Sequence, residues 1–228
     1  MSNIVIIANG EPPQRHDLAR WLHDGDVLIC ADGGARTALA HDLRPHHVIG
    51  DFDSLTSDML GELEARGARL HRFPTRKNET DLELALLLAA HHQPKPDAII
   101  VLGAFGGRLD HALANMLLLS MPALKGHRVF LVHGPERAFL IDAREHPTEV
   151  TFEAEPGDLV SLLPFGGDAH DIHTEGLEYP LRGEPLYIGP ARGVSNVMLG
   201  KTARVAVGRG LLLCVIRSQG ADLPVLAS

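Results

Sequence analysis

Up to about residue 142, short apolar runs alternate with segments of helical periodicity; beyond it the helical segments stop. The strand-like runs are Asn3–Ala8, Asp26–Ala31, His46–Gly50, Ala68–Phe73, Asp97–Leu102 and His127–His133. Between them lie Gln14–His23, Gly34–His41, Ser57–Arg66, Thr80–His92 and Leu109–Ser120, the last with Leu109, Leu113, Met116 and Leu117 at helical spacing before Pro122 ends it. Strands separated by helices cannot pair as hairpins, so the alternation predicts a Rossmann-like parallel sheet with helices on both faces. The later runs, Glu149–Glu153, Leu159–Leu163, Leu186–Ile188, Ala203–Val207 and Leu211–Arg217, are divided by Gly and Pro clusters. That pattern predicts a small antiparallel sandwich or barrel. The expected division is an α/β unit over residues 1–143, a β unit over 144–220 beginning near Arg144-Glu145-His146-Pro147, and a loose tail over 221–228.

The formal charge of −8 argues against a nucleic-acid surface, and the arginines form no stripe. No apolar run approaches the roughly 18 residues of a membrane span. The chain enters its first strand without a basic leader, so a cytoplasmic location is expected. Cys30 and Cys214 both lie in apolar runs and are expected as buried thiols. Aromatic residues make up only 4%, which leaves the core to Leu, Val, Ile and Ala.

The segment with most chemical content is Gly50-Asp51-Phe52-Asp53-Ser54, immediately after an expected strand. In an open parallel sheet, the carboxyl ends of the strands line the ligand crevice. Two carboxylates one residue apart point to opposite sides of a strand but converge where the chain turns. Converged carboxylates repel one another unless a hard cation lies between them. Mg²⁺ suits such a place, because it takes oxygen ligands and keeps substrate phosphates in its shell. Read alone, Asp-x-Asp is a capping turn. Three further turns at the same sheet edge strengthen the other reading: Asn9-Gly10, Asp32-Gly33-Gly34-Ala35, and Gly103-Ala104-Phe105-Gly106-Gly107-Arg108. Glycines there let a phosphate approach the backbone, the helix N-termini supply N–H donors, and Arg108 adds a bidentate cation. Asn78-Glu79-Thr80-Asp81 opens the fourth helix, and Asp81 shares its face with Ala85 and Leu88. Asp81 is therefore either a complement to the helix dipole or a third metal carboxylate. Asp110 and Asn115 raise the same question on the fifth helix.

Together these residues resemble the thiamine pyrophosphokinases. The matching pieces are Ala31-Asp32-Gly33-Gly34-Ala35, Gly50-Asp51-Phe52-Asp53-Ser54, Thr80-Asp81, Gly106-Gly107-Arg108-Leu109-Asp110-His111 with Asn115, and Gly193-Val194-Ser195-Asn196. Each piece is weak alone, but the ordered set is specific and covers nearly the whole chain. The resemblance implies an α/β domain followed by a β-sandwich. It also implies Mg²⁺-dependent transfer of a diphosphoryl group from ATP to the thiamine hydroxyl, giving thiamine diphosphate and AMP. It places the metal on Asp51, Asp53 and Asp81, and the nucleotide near Asn9, Asp32, Gly33, Thr80, Arg108 and Asp110. It assigns thiamine to Ser195 and Asn196, near the subunit interface of a homodimer. In some members an aromatic ring after the Ser-Asn pair stacks on thiamine; here Val197, Met198 and Leu199 follow, with the Met198 thioether as a substitute. A general base, if used, is Asp110 or Asp81. Arg76 and Lys77 read first as solvated loop charge, with donation to the β- and γ-phosphates as the alternative, and His170-Asp171-x-His173 reads as part of a Gly-rich loop rather than a zinc site.

Three other functions account for part of this pattern. A related diphosphokinase would act on another heterocyclic alcohol such as a hydroxymethylpterin. An Asp-x-Asp glycosyltransferase explains Asp51 and Asp53 but not Ser195-Asn196. A non-catalytic nucleotide-binding module would bind ATP without turnover.

Overall fold

The computed structural model describes residues 2–220, so the expected tail at 221–228 lies outside the described residues. The described residues divide into two compact units, one ending at Gly134 and the other beginning at Pro135.

The first unit alternates six strands with five helices: β1 (Ile4–Ile7), α1 (Arg15–Trp21), β2 (Val27–Ala31), α2 (Gly34–Ala40), β3 (His47–Gly50), α3 (Ser57–Ala65), β4 (Arg69–Arg72), α4 (Asp81–Ala90), β5 (Ile99–Leu102), α5 (Leu109–Leu118) and β6 (Val129–His133). All the strands pair in parallel, in the order β6-β5-β1-β2-β3-β4. The chain winds outward from β1 to β4, then returns to the other side of β1 with β5. The reversal falls between β1 and β5, where the first crossovers leave on opposite sides and open a crevice. Every residue of β1 and β5 is at most 1% exposed. Successive side chains of a strand point to opposite faces, so both faces of the sheet are covered, as the continuous apolar runs predicted. Each such Ile, Val or Leu contributes about 1.5–3 kcal/mol by leaving water. Thr56 and Thr80 cap α3 and α4, accepting from Met59 N at 3.3 Å and Glu83 N at 3.2 Å. Trp21 is buried in this core.

The second unit is all antiparallel: β7 (Glu136–Ala143), β8 (Thr148–Glu153), β9 (Leu159–Pro164), β10 (Ala169–Glu175), β11 (Arg182–Leu186), β12 (Asn196–Val197) and β13 (Thr202–Arg217). The sixteen-residue β13 organises it. Its first half pairs with β8 and β10, and its second half with β7 and β9. The bend between the halves is Gly208-Arg209-Gly210, where Gly210 has φ +110° and a side chain on Gly208 would lie 2.7 Å from Asp171 Cβ. Phe139 and Phe152, one from each sheet, meet edge to face at 6.0 Å, which makes the unit a sandwich. Ala203–Val207 and Leu211–Arg217 are thus one strand serving two sheets. The unit also begins earlier than the expected Arg144: all eight residues of β7 pair with β13, which binds residues 136–143 to the β unit. Cys30 and Cys214 are free and buried, and burial pushes both thiols up, Cys214 to about 12.

The rings of His47 of β3 and His71 of β4 lie 5.1 Å apart and tilted by 42°, with His47 Nδ1 2.9 Å from His71 Nε2. One ring donates and the other accepts, so the pair has no room for two charged rings. Burial, and then the charge of His71, pulls His47 from 6.5 down to about 4. The unfolded chain therefore holds a proton at His47 that the folded chain lacks across that window, and stability falls as pH drops through it. In urea titrations between pH 7 and pH 4.5, His47→Gln should flatten this decline by about 1 kcal/mol, a figure already reduced for solvent screening. Identical slopes would remove His47 from the acid limb.

Candidate active site

Five strand-end segments of the first unit converge on a cleft of about 630 Å³. β1 is followed by Asn9-Gly10, β2 by Asp32, β3 by Asp51 and Asp53, β4 by Thr75 and Lys77, and β5 by the loop from Gly103 to Arg108, all contributing to its wall. Thr80 and Asp81 at the start of α4, with His111 and Asn115 of α5, complete it. Gly10 and Gly34 permit the close approach: a Cβ on Gly10 would lie 2.3 Å from Phe105 O, and one on Gly34 2.0 Å from Ile7 O. Asn115 is buried and donates to Ala104 O at 2.6 Å, pinning the glycine loop to its own helix.

Asp32, Asp51 and Asp53 each offer a carboxylate oxygen within 4.8 Å of the others. Asp32 is buried, with Oδ2 accepting from Asn9 Nδ2 at 3.1 Å and Oδ1 from Ser54 Oγ at 3.0 Å. Asp51 accepts from Asp53 N at 3.2 Å, and this bond, followed by one from Thr75, holds its carboxyl below the usual range. Asp53 is pushed the other way, first by the charge of Asp51, with Asp32 and Asp81 adding to it. Three hard oxygen donors that repel one another are the donor set a divalent cation relieves, and magnesium fits them.

In the second unit, Ser195 sits at φ +59° with its N donating to Ser161 Oγ at 3.1 Å. Asn196 is buried; its Oδ1 accepts from Tyr179 N and Val197 N, both at 2.9 Å, and its Nδ2 donates to Tyr179 O at 2.7 Å.

Residues 18–131 match the thiamin pyrophosphokinase catalytic domain, and residues 146–212 match the thiamin pyrophosphokinase vitamin B1 binding domain. The chain belongs to the thiamine pyrophosphokinase family. Thiamine pyrophosphokinase of Bacillus subtilis is 29% identical over 215 residues, covering 94% of this chain and 98% of that protein. Thiamine pyrophosphokinase 1 of Oryza sativa is 26% identical, covering 91% and 84%. The crystal structure of the Bacillus subtilis thiamine pyrophosphokinase superposes with a TM-score of 0.83 at 28% identity, covering 96% of this chain and all of that one.

Within this member of the thiamine pyrophosphokinase family, the structure brings Asn9, Asp32, Asp51, Asp53, Thr80, Asp81 and Arg108 to one cleft. The carboxylate oxygens that lie within 4.8 Å of one another are those of Asp32, Asp51 and Asp53, so Asp32 joins the expected Asp51–Asp53 pair while Asp81 stands outside this set. Asp81 lines the same cleft, but its Oδ1 lies 2.8 Å from Lys77 Nζ, an ion pair whose angle makes no hydrogen bond. Asp110 does not line the cleft: it is exposed and bound to Arg108 at 3.0 and 2.5 Å, which holds its carboxyl down at about 2. So acidic a group is a poor proton acceptor at neutral pH.

Gly33 also stays off the cleft wall. A Cβ there would lie 2.1 Å from Asn9 Oδ1, so its smallness seats Asn9 against Asp32. Met198, offered as the substitute for the aromatic ring, is only 1% exposed, so its thioether lies inside the unit rather than at the surface. Nothing in the sequence marks Thr75, and His111 enters only as part of the family motif; Lys77, expected first as solvated loop charge, instead lines the wall and is only 13% exposed. Its spacing of four residues before Asp81 was the available signal. His173 bonds Asp171 at 2.9 Å, and Asp32, Asp51 and Asp53 are the one group of three acidic or histidine side chains, among the described residues, whose ligand atoms lie within 4.8 Å of one another.

Because Asn196 satisfies the Tyr179 turn from a buried position, Asn196→Ala should destabilise the chain by about 1–3 kcal/mol in urea unfolding. A change below about 0.5 kcal/mol would mean water replaces these bonds.

Proposed function

We propose that this chain transfers the diphosphoryl group of ATP to the hydroxyl of thiamine, giving thiamine diphosphate and AMP, with magnesium in the cleft. The observation that carries this reading is the convergence of three carboxylates, Arg108 and the glycine loop in a chain whose two halves match the family's catalytic and vitamin B1 binding domains.

Asp51, Asp53 and Asp32, with Asp81 at the wall, would hold magnesium, which when bound offsets the charge of the triphosphate oxygens and orients them. Arg108 offers a planar fork to phosphate oxygens, and Asp110 fixes that fork by its two bonds. The glycines of the β5–α5 loop bring backbone N–H groups close to the phosphates. Asn9 and Thr80 flank the nucleotide, and Lys77 supplies a second cation from inside the cleft. Transfer to the β-phosphorus leaves AMP, so the donors must grip the β- and γ-phosphates. A loose phosphoryl-type transition state depends on positioning and charge more than on a strong base. That suits a cleft in which Asp110 is turned away and strongly acidic. The exposed Ser195 hydroxyl faces thiamine, while Asn196 acts through the Tyr179 turn it holds.

Two further assignments belong to this reading. The free, buried Cys30 and Cys214 suit the reducing cytoplasm. The exposed Leu109, Leu113 and Leu117, one stripe of α5, are apolar surface that a second copy in a homodimer would cover.

The reading is tested by incubating the protein with Mg²⁺, ATP and thiamine. AMP and thiamine diphosphate should form in equal amounts. ADP in place of AMP would mean γ-phosphoryl transfer, and preference for hydroxymethylpterin in competition would reassign the acceptor.

A further inference from the structure

Phe52 stands between the two carboxylates of the Asp51–Asp53 turn at φ +65°, a left-handed conformation that bulky side chains avoid. Its ring is nevertheless buried, 4% exposed. A residue held this way is fixed by its surroundings.

One side of those surroundings is Arg72. Gly50, the last residue of β3, pairs with Arg72 of β4, and Phe73 N donates to Gly50 O at 2.9 Å. From this register the Arg72 guanidinium lies 4.8 Å above the Phe52 ring centroid, and its Nη1 donates to the Asp51 carbonyl at 3.1 Å. One side chain therefore grips two consecutive residues, the backbone of Asp51 and the ring of Phe52. The reversal at Phe52 turns Asp51 and Asp53 to the same side, beside Asp32. Arg72 itself is exposed and does not line the cleft, so it touches neither the carboxylates' oxygens nor the space between them.

We infer that Arg72 is a positioning residue for the cation site: stacked on Phe52 and bonded to the Asp51 carbonyl, it holds the left-handed turn that makes Asp51 and Asp53 converge. The inference rests on reading the cleft as a divalent-cation site. A planar guanidinium covers a ring with its face while donating along its edge; an ammonium is a compact, strongly hydrated point charge with no such face and no fixed donor direction. Lysine at position 72 therefore keeps the charge and loses the clamp.

The test titrates Mn²⁺ into the nucleotide-free protein and reads free Mn²⁺ by electron paramagnetic resonance. Arg72→Ala and Arg72→Lys should both bind Mn²⁺ about tenfold more weakly than wild type, the size expected for loss of an outer support of a metal site. Melting of the metal-free protein should change little, because Arg72 lies on an exposed edge strand. In turnover assays both variants should need about tenfold more Mg²⁺ yet recover wild-type kcat at saturation. Unchanged Mn²⁺ affinity in Arg72→Ala would overturn the inference. So would a kcat deficit that Mg²⁺ does not repair, since Arg72 would then act on substrate or fold. Lysine restoring full affinity would replace the clamp with simple charge. Wild-type protein that binds no Mn²⁺ would overturn the cation reading itself, and the inference with it.

Discussion

Replacing Asp51 or Asp53 by asparagine should lower turnover by about 10³-fold or more, the scale of losing charge stabilisation in phosphoryl transfer. The fold should survive. Asparagine at 51 keeps an oxygen to accept from Asp53 N, and removing one of three converged charges relieves the repulsion that raises Asp53. Melting of the metal-free variants should therefore match or slightly exceed wild type. The stabilisation gained on adding Mg²⁺, about 2.7 kcal/mol at a hundred times the dissociation constant, should disappear. Lost activity with retained metal-free stability separates a ligand from a structural residue. Near-normal turnover in both variants would remove these carboxylates from the reaction.

Gly34→Ala should be the most damaging single-methyl change at the cleft. The added Cβ would lie 2.0 Å from Ile7 O and 2.7 Å from Ile7 C, both backbone atoms of β1, which cannot rotate away. Either α2 lifts off the sheet or the end of β1 shifts, and both carry Asn9 and Asp32 with them. We expect a loss of about 3 kcal/mol or more in urea unfolding, beyond ordinary overpacking because backbone rather than side chain must move. Gly61→Ala in α3 is the control: nothing lies within 4 Å of its Cβ, so helix propensity alone should make it neutral or mildly stabilising. Equal stability of Gly34→Ala and wild type would mean that α2 does not need to approach β1 so closely.

Strand and helix positions in the first unit were legible because each element carries its own period. The run Ile4–Ile7 is apolar throughout because both faces of β1 are covered, and the helical stretches ended within two residues of their observed limits. The second unit was read less well. Residues 169–175, Ala-His-Asp-Ile-His-Thr-Glu, form β10, whose side chains alternate between buried and exposed and whose histidines and acids disguise the period. Residues 136–143 follow the last parallel strand directly and so read as the end of the α/β unit, although their eight pairings with β13 make them a strand of the sandwich. The length of β13 was likewise hidden, since Gly208 and Gly210 look like a turn and are instead a bend between two sheets.

The sequence alone determined the two-unit order, the parallel character of the first sheet, and the set of polar strand ends from which a site is built. Periodicity and turn chemistry are local, so they survive in one dimension. Only the tertiary structure decided which side chains meet. It drew Asp32 beside Asp51 and Asp53, gave Asp81 to Lys77, turned Asp110 outward onto Arg108, and bound Asn196 to the Tyr179 turn. Those choices depend on strand register and on the φ angles of single turn residues such as Phe52, where a few tens of degrees send a carboxylate to one face of the sheet or the other.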